Sequence, residues 1–449
     1  MQEERQTSPE SERGKMEEKE PLVVPRPEHC LSRQNIDPDA LKVMMRLHRH
    51  GFKAYLVGGS VRDLLLGRSP KDFDVSTDAR PGQIRKLFNN CRVIGRRFRL
   101  AHILFRGNKI IEVSTFRKAP AEPAPPEEGE AGEEAKRGDN TFGLPYEDAV
   151  RRDLTINGLF YDIGSFAILD YVGGMADLKA GIIRTIGPPD ERLLEDPIRM
   201  LRVVRHAVRT GFRIDPETRA AVERNARLLE ASNRFRLQDE FHKDLDGPAF
   251  GSVLRLQSEI GLLEAIFPEL DAYLKQPEAA AQSLFSAPWV WKALSLLDAS
   301  SEERDTIREN RILSMVFPLI EARVTKSYPS LREAGRDPMQ INQLLRELQT
   351  PFAIPRREQE RFKINLTGWT RLIEFVEEVN RIPVGFQKKV YFNRILLWHL
   401  FHQRVRGRSE QEIREQVERA VQAGLERRGR PKRKRKKRFK DRGKPIDFS

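Results

Sequence analysis

Residues 55–77, YLVGGSVRDLLLGRSPKDFDVST, constrain the fold more than any other stretch of the chain. An apolar run ends on Gly58 and Gly59, an Arg62–Asp63 pair follows, and two aspartates then flank Phe73. AYLV (54–57) reads as a buried strand, SVRDLLLG (60–67) as a short helix stopped by Gly67, and the segment through FDVST as a second strand. Residues i and i+2 of a strand share a face. Asp72 and Asp74 are therefore expected to project together, with Phe73 and Val75 turned to the other side.

LAHILF (100–105) and KIIEVSTF (109–116) flank Arg106-Gly107-Asn108 and read as a β-hairpin. Glu112 falls between Ile111 and Val113, on the side opposite to them. If the strands are neighbours, three carboxylates, Asp72, Asp74 and Glu112, meet on one open face. Such crowding is costly without a cation. Carboxylates suit hard cations, and Mg²⁺ is held by one or two of them together with substrate phosphates. A pair of such ions, about 4 Å apart, can clamp the attacking and leaving oxygens of an in-line displacement. Gly58 and Gly59 let backbone approach a ligand closely. The helix start behind them offers free N–H groups to a phosphate, with Arg62 one turn in. A single Asp-x-Asp or Gly-Gly is commonly a solvated turn; their combination with a later Glu points to a metal site. The Walker pattern is absent.

Residues 1–35 lack periodicity and are read as disordered. Residues 38–50 form an apolar-periodic helix closed by Gly51, and residues 81–88 a further helix. Residues 119–139 hold seven acids and two bases among Pro and Ala and read as a flexible loop. Beyond TINGLFYDIGSFAILDYVGG the β-signal fades, and from Asp196 to about Gln403 the pattern is helical. The expected class is α+β: a mixed-sheet head followed by all-helical domains. Trp289, Trp291, Trp369 and Trp398 are assigned to packing.

The formal charge of +14 is unevenly spread. Residues 427–444 hold thirteen Lys/Arg and one Asp, which leaves +2 for the other 431 residues. Cys30 and Cys91 make neither a disulfide framework nor a zinc spacing. His399 and His402, three apart, have no companion to complete a metal site. No apolar run reaches the roughly 18 residues of a membrane span, and the polar N-terminus has no signal-peptide core, so a cytoplasmic setting is expected.

GGSVRDLLLG, KDFDV, RRFRLAHILF, IIEVSTFR, RRDLTIN, DYVGGMADL and EDPIRMLRVVR occur in that order between about residues 40 and 270. Together they resemble the class II branch of the nucleotidyltransferase superfamily, which holds bacterial poly(A) polymerases and tRNA CCA-adding enzymes. The resemblance implies a palm-like head (36–190), a helical neck that reads the nucleotide base (191–270) and a helical RNA-holding body (271–405); the charge run marks residues 406–449 as a basic tail. The resemblance makes Asp72, Asp74 and Glu112 the metal ligands and catalytic set, for two Mg²⁺ ions or Mn²⁺ in their place. It puts Gly58, Gly59, Arg62 and Arg152 at the triphosphate, and Asp153 and Asn157 at the ribose. An Asp153 that accepts from a 2′-OH would favour ribonucleotides. Without the resemblance, Arg152 and Asp153 read as a surface ion pair.

Asp196 before Pro197 reads as a helix start, with Asp at the N-cap and Pro at N1. Arg199, Arg202 and Arg205 recur near one face of that helix, as a solvated basic stripe or a nucleotide-facing one. By resemblance Asp196 and Arg199 read the base. A carboxylate accepts from the exocyclic amine of adenine or cytosine while a guanidinium donates to the ring nitrogen. Guanine and uracil mispair with both groups, at a cost of several kcal/mol. The pair does not separate ATP from CTP. VIGRRFRLAHILF (93–105), with His102 in its strand, resembles the poly(A) polymerase version.

Arg430, Lys432, Arg433, Lys434, Arg435, Lys436, Lys437 and Arg438 form the densest part of the tail and suit RNA phosphates, or a nonspecific polyanion. The expected activity is template-independent addition of AMP from ATP to RNA 3′ ends. CCA addition to tRNA is the second enzymatic reading, and an inactive RNA-binding scaffold is the reading from another class.

Overall fold

An eight-stranded mixed sheet organises the N-terminal half, in the order β1-β8-β7-β2-β3-β6-β5-β4. In this computed structural model the described residues are 20–95, 99–118, 142–276, 283–324, 331–334, 337–348, 350 and 356–426. The strands are β1 (Leu22–Val24), β2 (Ala54–Val57), β3 (Asp74–Thr77), β4 (Cys91–Ile94), β5 (Leu100–Leu104), β6 (Ile110–Thr115), β7 (Leu159–Asp162) and β8 (Ile168–Asp170). β3 and β6 run parallel; the other pairings in the sheet are antiparallel. A separate parallel pair joins β9 (Ile182–Ile183) to β10 (Arg213–Ile214).

One face of the large sheet is sealed by α1 (Pro38–Arg49), α2 (Gly59–Leu65) and α3 (Pro81–Leu87). Asp37 starts α1 by accepting from the amides of Asp39 and Ala40, with Pro38 at the first helical position. Val43, Met44 and Leu47 of α1, Ile84 of α3 and Val75, Ile103 and Val113 of the strands fuse into one core. The opposite face carries a smaller cluster of Tyr55, Val57, Phe116, Ala149 and Phe160. β6 alternates buried and exposed, so Ile111 and Val113 enter the core while Glu112 faces out.

Further helices follow: α4 (Pro145–Val150), α5 (Gly174–Ala180), α6 (Pro189–Glu195), α7 (Arg199–Thr210), α8 (Pro216–Asn225), α9 (Arg234–Leu245), α10 (Phe250–Glu259) and α11 (Leu262–Ile266). α12 (Pro268–Leu274), α13 (Ala287–Asp298), α14 (Arg304–Val324), α15 (Leu331–Ala334), α16 (Pro338–Glu347), α17 (Arg356–Ile373), α18 (Val384–Gln387), α19 (Phe392–Val405) and α20 (Glu410–Glu426) complete the helical part. Contacts divide the chain into two units, Met1–Glu240 with Ser252–Ala265, and Phe241–Gly251 with Ile266–Ser449. In the second unit, Trp289, Phe317, Trp369, Trp398 and His402 ring the buried Phe285. No helix among the described residues is long and apolar enough to cross a membrane.

Four local expectations are corrected. Residues 20–35 are not disordered: β1 pairs with β8, and Leu31 is fully buried in the head core. Strand β3 begins at Asp74 and leaves Asp72 ahead of it, because its partner β2 ends at Val57 and Gly58, at φ +70°, turns the chain away. Asp196 does not cap a helix: it is extended after α6, and α7 begins three residues later. The chain after residue 405 is not all tail, since α20 buries Ile413, Val417 and Ala420. The loop 119–139 and the basic run 427–444 lie outside the described residues.

Candidate active site

The parallel pairing of β3 with β6 puts Asp74 and Glu112 in direct register. β5 pairs with β6 on its other side, with His102 opposite Glu112. His102 Nε2 lies 3.3 Å from Glu112 Oε1, off hydrogen-bond alignment. Burial of the Asp74 carboxyl, the Glu112 carboxylate and Asp72 together push its pKa up to about 6, against the opposing pull of Arg152. Like charges are thus crowded at the mouth of β3. Among the described residues no three His, Cys, Asp or Glu side chains converge tightly enough to enclose a metal ion. The expected trio is therefore an adjacent pair, Asp74 and Glu112, with exposed Asp72 close enough to act on Asp74 through space. Two all-oxygen side chains side by side, one of them disfavoured as an anion, fit a hard divalent cation.

Gly58 borders this pair. Its φ of +70° suits glycine, and a Cβ there would stand 2.9 Å from Arg152 Nη1. Arg152 is held by Asp148, whose Oδ2 accepts from Nη2 at 3.0 Å, and its guanidinium lies over the Phe160 ring. Its buried Nε has no partner. Gly59 opens α2. Arg62 does not line an open surface: it is 1% exposed. Its Nε and Nη2 donate to Asp63 Oδ1, and its Nη1 donates to Asn157 Oδ1 at 2.7 Å and to His206 Nδ1 at 3.2 Å.

That network reaches the expected ribose residues. Asn157 Nδ2 donates to Asp153 Oδ1 at 3.2 Å, and the Leu154 amide donates to the same oxygen. Arg202 Nε lies 3.0 Å from Asp153 Oδ2 as an ion pair off hydrogen-bond alignment. Burial works to raise the Asp153 pKa, but Arg202, with the bonds from Asn157 and the Leu154 amide, outweighs it and holds the carboxyl well below its usual range. Burial, reinforced by Arg62, lowers the His206 pKa to about 3, so its ring is neutral.

Asp196 and Arg199 sit on the α6–α7 junction. Asp196 Oδ2 accepts from Arg236 Nη2 at 2.7 Å, while its buried Oδ1 has no partner. Arg199 Nη1 donates to the Arg192 carbonyl at 2.8 Å and to Glu195 Oε2 at 2.9 Å. Arg205 is committed to Glu240. The arginine stripe thus divides: Arg202 reaches Asp153, Arg199 braces α6, and Arg205 ties α7 to α9. Sequence reasoning missed Asp148, Arg192, His206 and Arg236. Arg192, whose Nη2 donates to the carbonyls of Val150 and Arg152, lies on α6 four residues before Asp196; that spacing was the available signal. His206 lies four after Arg202 on α7, while Asp148 and Arg236 are remote in sequence from the residues they hold. Arg96, Arg97 and Phe98 of the RRF run lie outside the described residues, as do Arg430 to Arg438.

A family model described as the poly A polymerase head domain matches residues 54–184. A second, described as the probable RNA and SrmB-binding site of polymerase A, matches residues 211–274. The chain is 49% identical over 263 residues to Poly(A) polymerase I of Escherichia coli O6:H1, covering 57% of this chain and 55% of that relative. It thus spans about half the length of this relative. It is 41% identical over 345 residues to Poly(A) polymerase I of Salmonella typhi, covering 75% of this chain and 72% of the relative. The fold is similar to the crystal structure of the Bacillus stearothermophilus CCA-adding enzyme in complex with CTP, at a TM-score of 0.57 and 25% identity over 88% of this chain and 89% of that one.

Proposed function

Because the chain belongs to the poly(A) polymerase family of class II nucleotidyltransferases, we propose that it adds AMP from ATP to RNA 3′ ends without a template. The observation that carries this reading is the in-register pair Asp74 and Glu112 beside the Gly58 turn and Arg152. In the reaction the RNA 3′-hydroxyl attacks the α-phosphate of ATP, the bond to the β-phosphate breaks, and pyrophosphate leaves. A divalent cation, Mg²⁺ or Mn²⁺, held by Asp74 and Glu112 with Asp72 beside them would lower the pKa of the attacking hydroxyl and neutralise developing charge.

The chain's own residues position the nucleotide. Gly58 and Gly59 let the backbone close on the triphosphate, and Arg152 supplies its cation. Arg62 braces this turn from beneath by holding Asn157. Asp153 and Asn157 take the ribose, with Arg202 as the poorly aligned partner that the sugar displaces. Asp196 offers its unbonded Oδ1 to the exocyclic amine of the base, and Arg199 donates to the ring nitrogen.

Primer extension tests the reading. Purified protein with Mg²⁺ should build a ladder of adenylates on a generic RNA, with CTP a poor substrate. The similarity of the whole fold to a CCA-adding enzyme supports one alternative. Addition of two C and one A to a tRNA lacking its CCA end, followed by a stop, would establish that alternative.

A further inference from the structure

We infer that Phe235 is a stacking platform for a base of the RNA primer, set beside the carboxylate that reads the incoming base. The inference rests on the proposed RNA 3′-end activity. Phe235 is 78% exposed, far beyond the only other large exposed aromatic among the described residues, Phe142 at 41%. Phe142 is covered by the Arg80 guanidinium at 5.4 Å, whereas no ring stacks on Phe235 and no cation lies over it among the described residues. The ring is not on a loose segment. Asn233 Oδ1 accepts from the amides of both Phe235 and Arg236, at 3.0 and 3.2 Å, which fixes the first turn of α9. Arg236 then ties that turn to Asp196. Leu194, two residues before Asp196, is 60% exposed, a second apolar side chain at the same junction.

Charge selects the occupant. Arg234 and Arg236, both exposed, flank the ring in sequence; Arg236 is paired with Asp196, and on the preceding segment Arg224 pairs with Asp190 and Arg227 lies 4.0 Å from Glu264. The triphosphate of ATP already has Gly58, Gly59 and Arg152. Exposed Arg234, beside Phe235 and without an acidic partner among the described residues, therefore suits a backbone phosphate of a second ligand. A nucleobase offers a π-face to an aromatic ring whatever its identity, and cations track the strand: this is the composition of a single-strand site. The incoming ATP base is the other candidate for the ring, and the experiment separates the two.

The test uses the full chain and an RNA oligonucleotide ending in 2-aminopurine, mixed without ATP. Wild type should quench the fluorophore by stacking. Phe235→Ala should lose the quench and weaken RNA binding about tenfold, in line with the loss of one stacked base. It should raise the KM for primer without changing the KM for ATP or the melting temperature, and Phe235→Trp should restore binding. An effect of Phe235→Ala on the KM for ATP alone would assign the ring to the incoming base and overturn the inference. Unchanged RNA affinity, in a protein whose wild type extends RNA, would overturn it and leave the proposed function standing. A wild type that neither binds nor extends RNA would remove both.

Discussion

Asp74 and Glu112 are direct register partners on parallel strands, and each extends from a residue whose two chain neighbours point into or toward the core. The packing of Val75 and Val113 fixes both Cα positions on the same face of the sheet. The sheet thus sets two carboxylates side by side, and desolvation first, then Glu112, raises the Asp74 pKa to about 6. The first prediction is a stability gain with a loss of activity. The Asp74 carboxyl is crowded by neighbouring atoms yet the residue is exposed, so solvent screens most of the penalty; Asp74→Asn should stabilise the metal-free protein at pH 7 by about 1 kcal/mol, or about 2–4 °C in Tm. It should lower AMP transfer by ~10³-fold or more. Mg²⁺ should raise the Tm of wild type but not of the variant. Thermal melts with and without EDTA read all three effects.

Much of this site was legible in the sequence for a geometric reason. Period-2 alternation around Glu112 and Asp74 states which face each occupies, and Gly58 marks the turn that ends β2. The position of Asp72 was not legible: a strand's start depends on where its partner strand stops, which is a tertiary fact. Asp196 misled for a related reason. Asp-Pro is a sound local helix start, but its carboxylate is claimed by Arg236, forty residues away. The strand Leu22–Val24 carries exposed Leu22 and Val23, so only its pairing with β8 distinguishes it from a polar tail. The buried bonds of Arg62 were equally hidden, since a glycine-turn arginine reads as solvent-facing until Asn157 and His206 are folded against it.

Arg236 gives the second prediction. Its ion pair with Asp196 is partly exposed, and such pairs contribute about 1 kcal/mol or less to stability. Arg236→Ala should therefore leave the Tm within about 2 °C. It should raise the KM for ATP several-fold, because Asp196 loses the contact that orients its free Oδ1. An unchanged KM together with an unchanged Tm would show that Arg236 does not position the carboxylate.

Asp153 gives the third. Its Oδ1 is committed to the Leu154 amide and Asn157, while Oδ2 has only the poorly aligned Arg202. A ribose hydroxyl donating to Oδ2 would be the added bond. Asp153→Asn keeps an acceptor for the internal contacts but removes the charge. The preference for ATP over dATP should fall by about tenfold, the value of one charge-assisted hydrogen bond. Competition between the two nucleotides in a single primer-extension reaction measures it.

The last prediction concerns acid. His206, His399 and His402 are buried, and burial lowers their pKa values to about 3, 4 and 3. Each is neutral in the folded chain and takes up a proton only on unfolding as pH falls through 6.5. The unfolded state then binds more protons, so stability is fully present above that pH and drops below it. At pH 5.5 the cost is ~1 kcal/mol for each histidine. His399 separates this effect from function, because it lies in the helical unit and neither of its ring nitrogens has a partner among the described residues. A buried polar atom without a partner costs more than an apolar side chain of similar shape. His399→Leu should thus be neutral or stabilising by ~1 kcal/mol at pH 7, and should shallow the fall of stability between pH 7 and 5.5 by one proton. Denaturant melts at the two pH values give both numbers. A variant that is destabilised at pH 7 and keeps the wild-type pH slope would mean that His399 is not the unpartnered neutral ring described here.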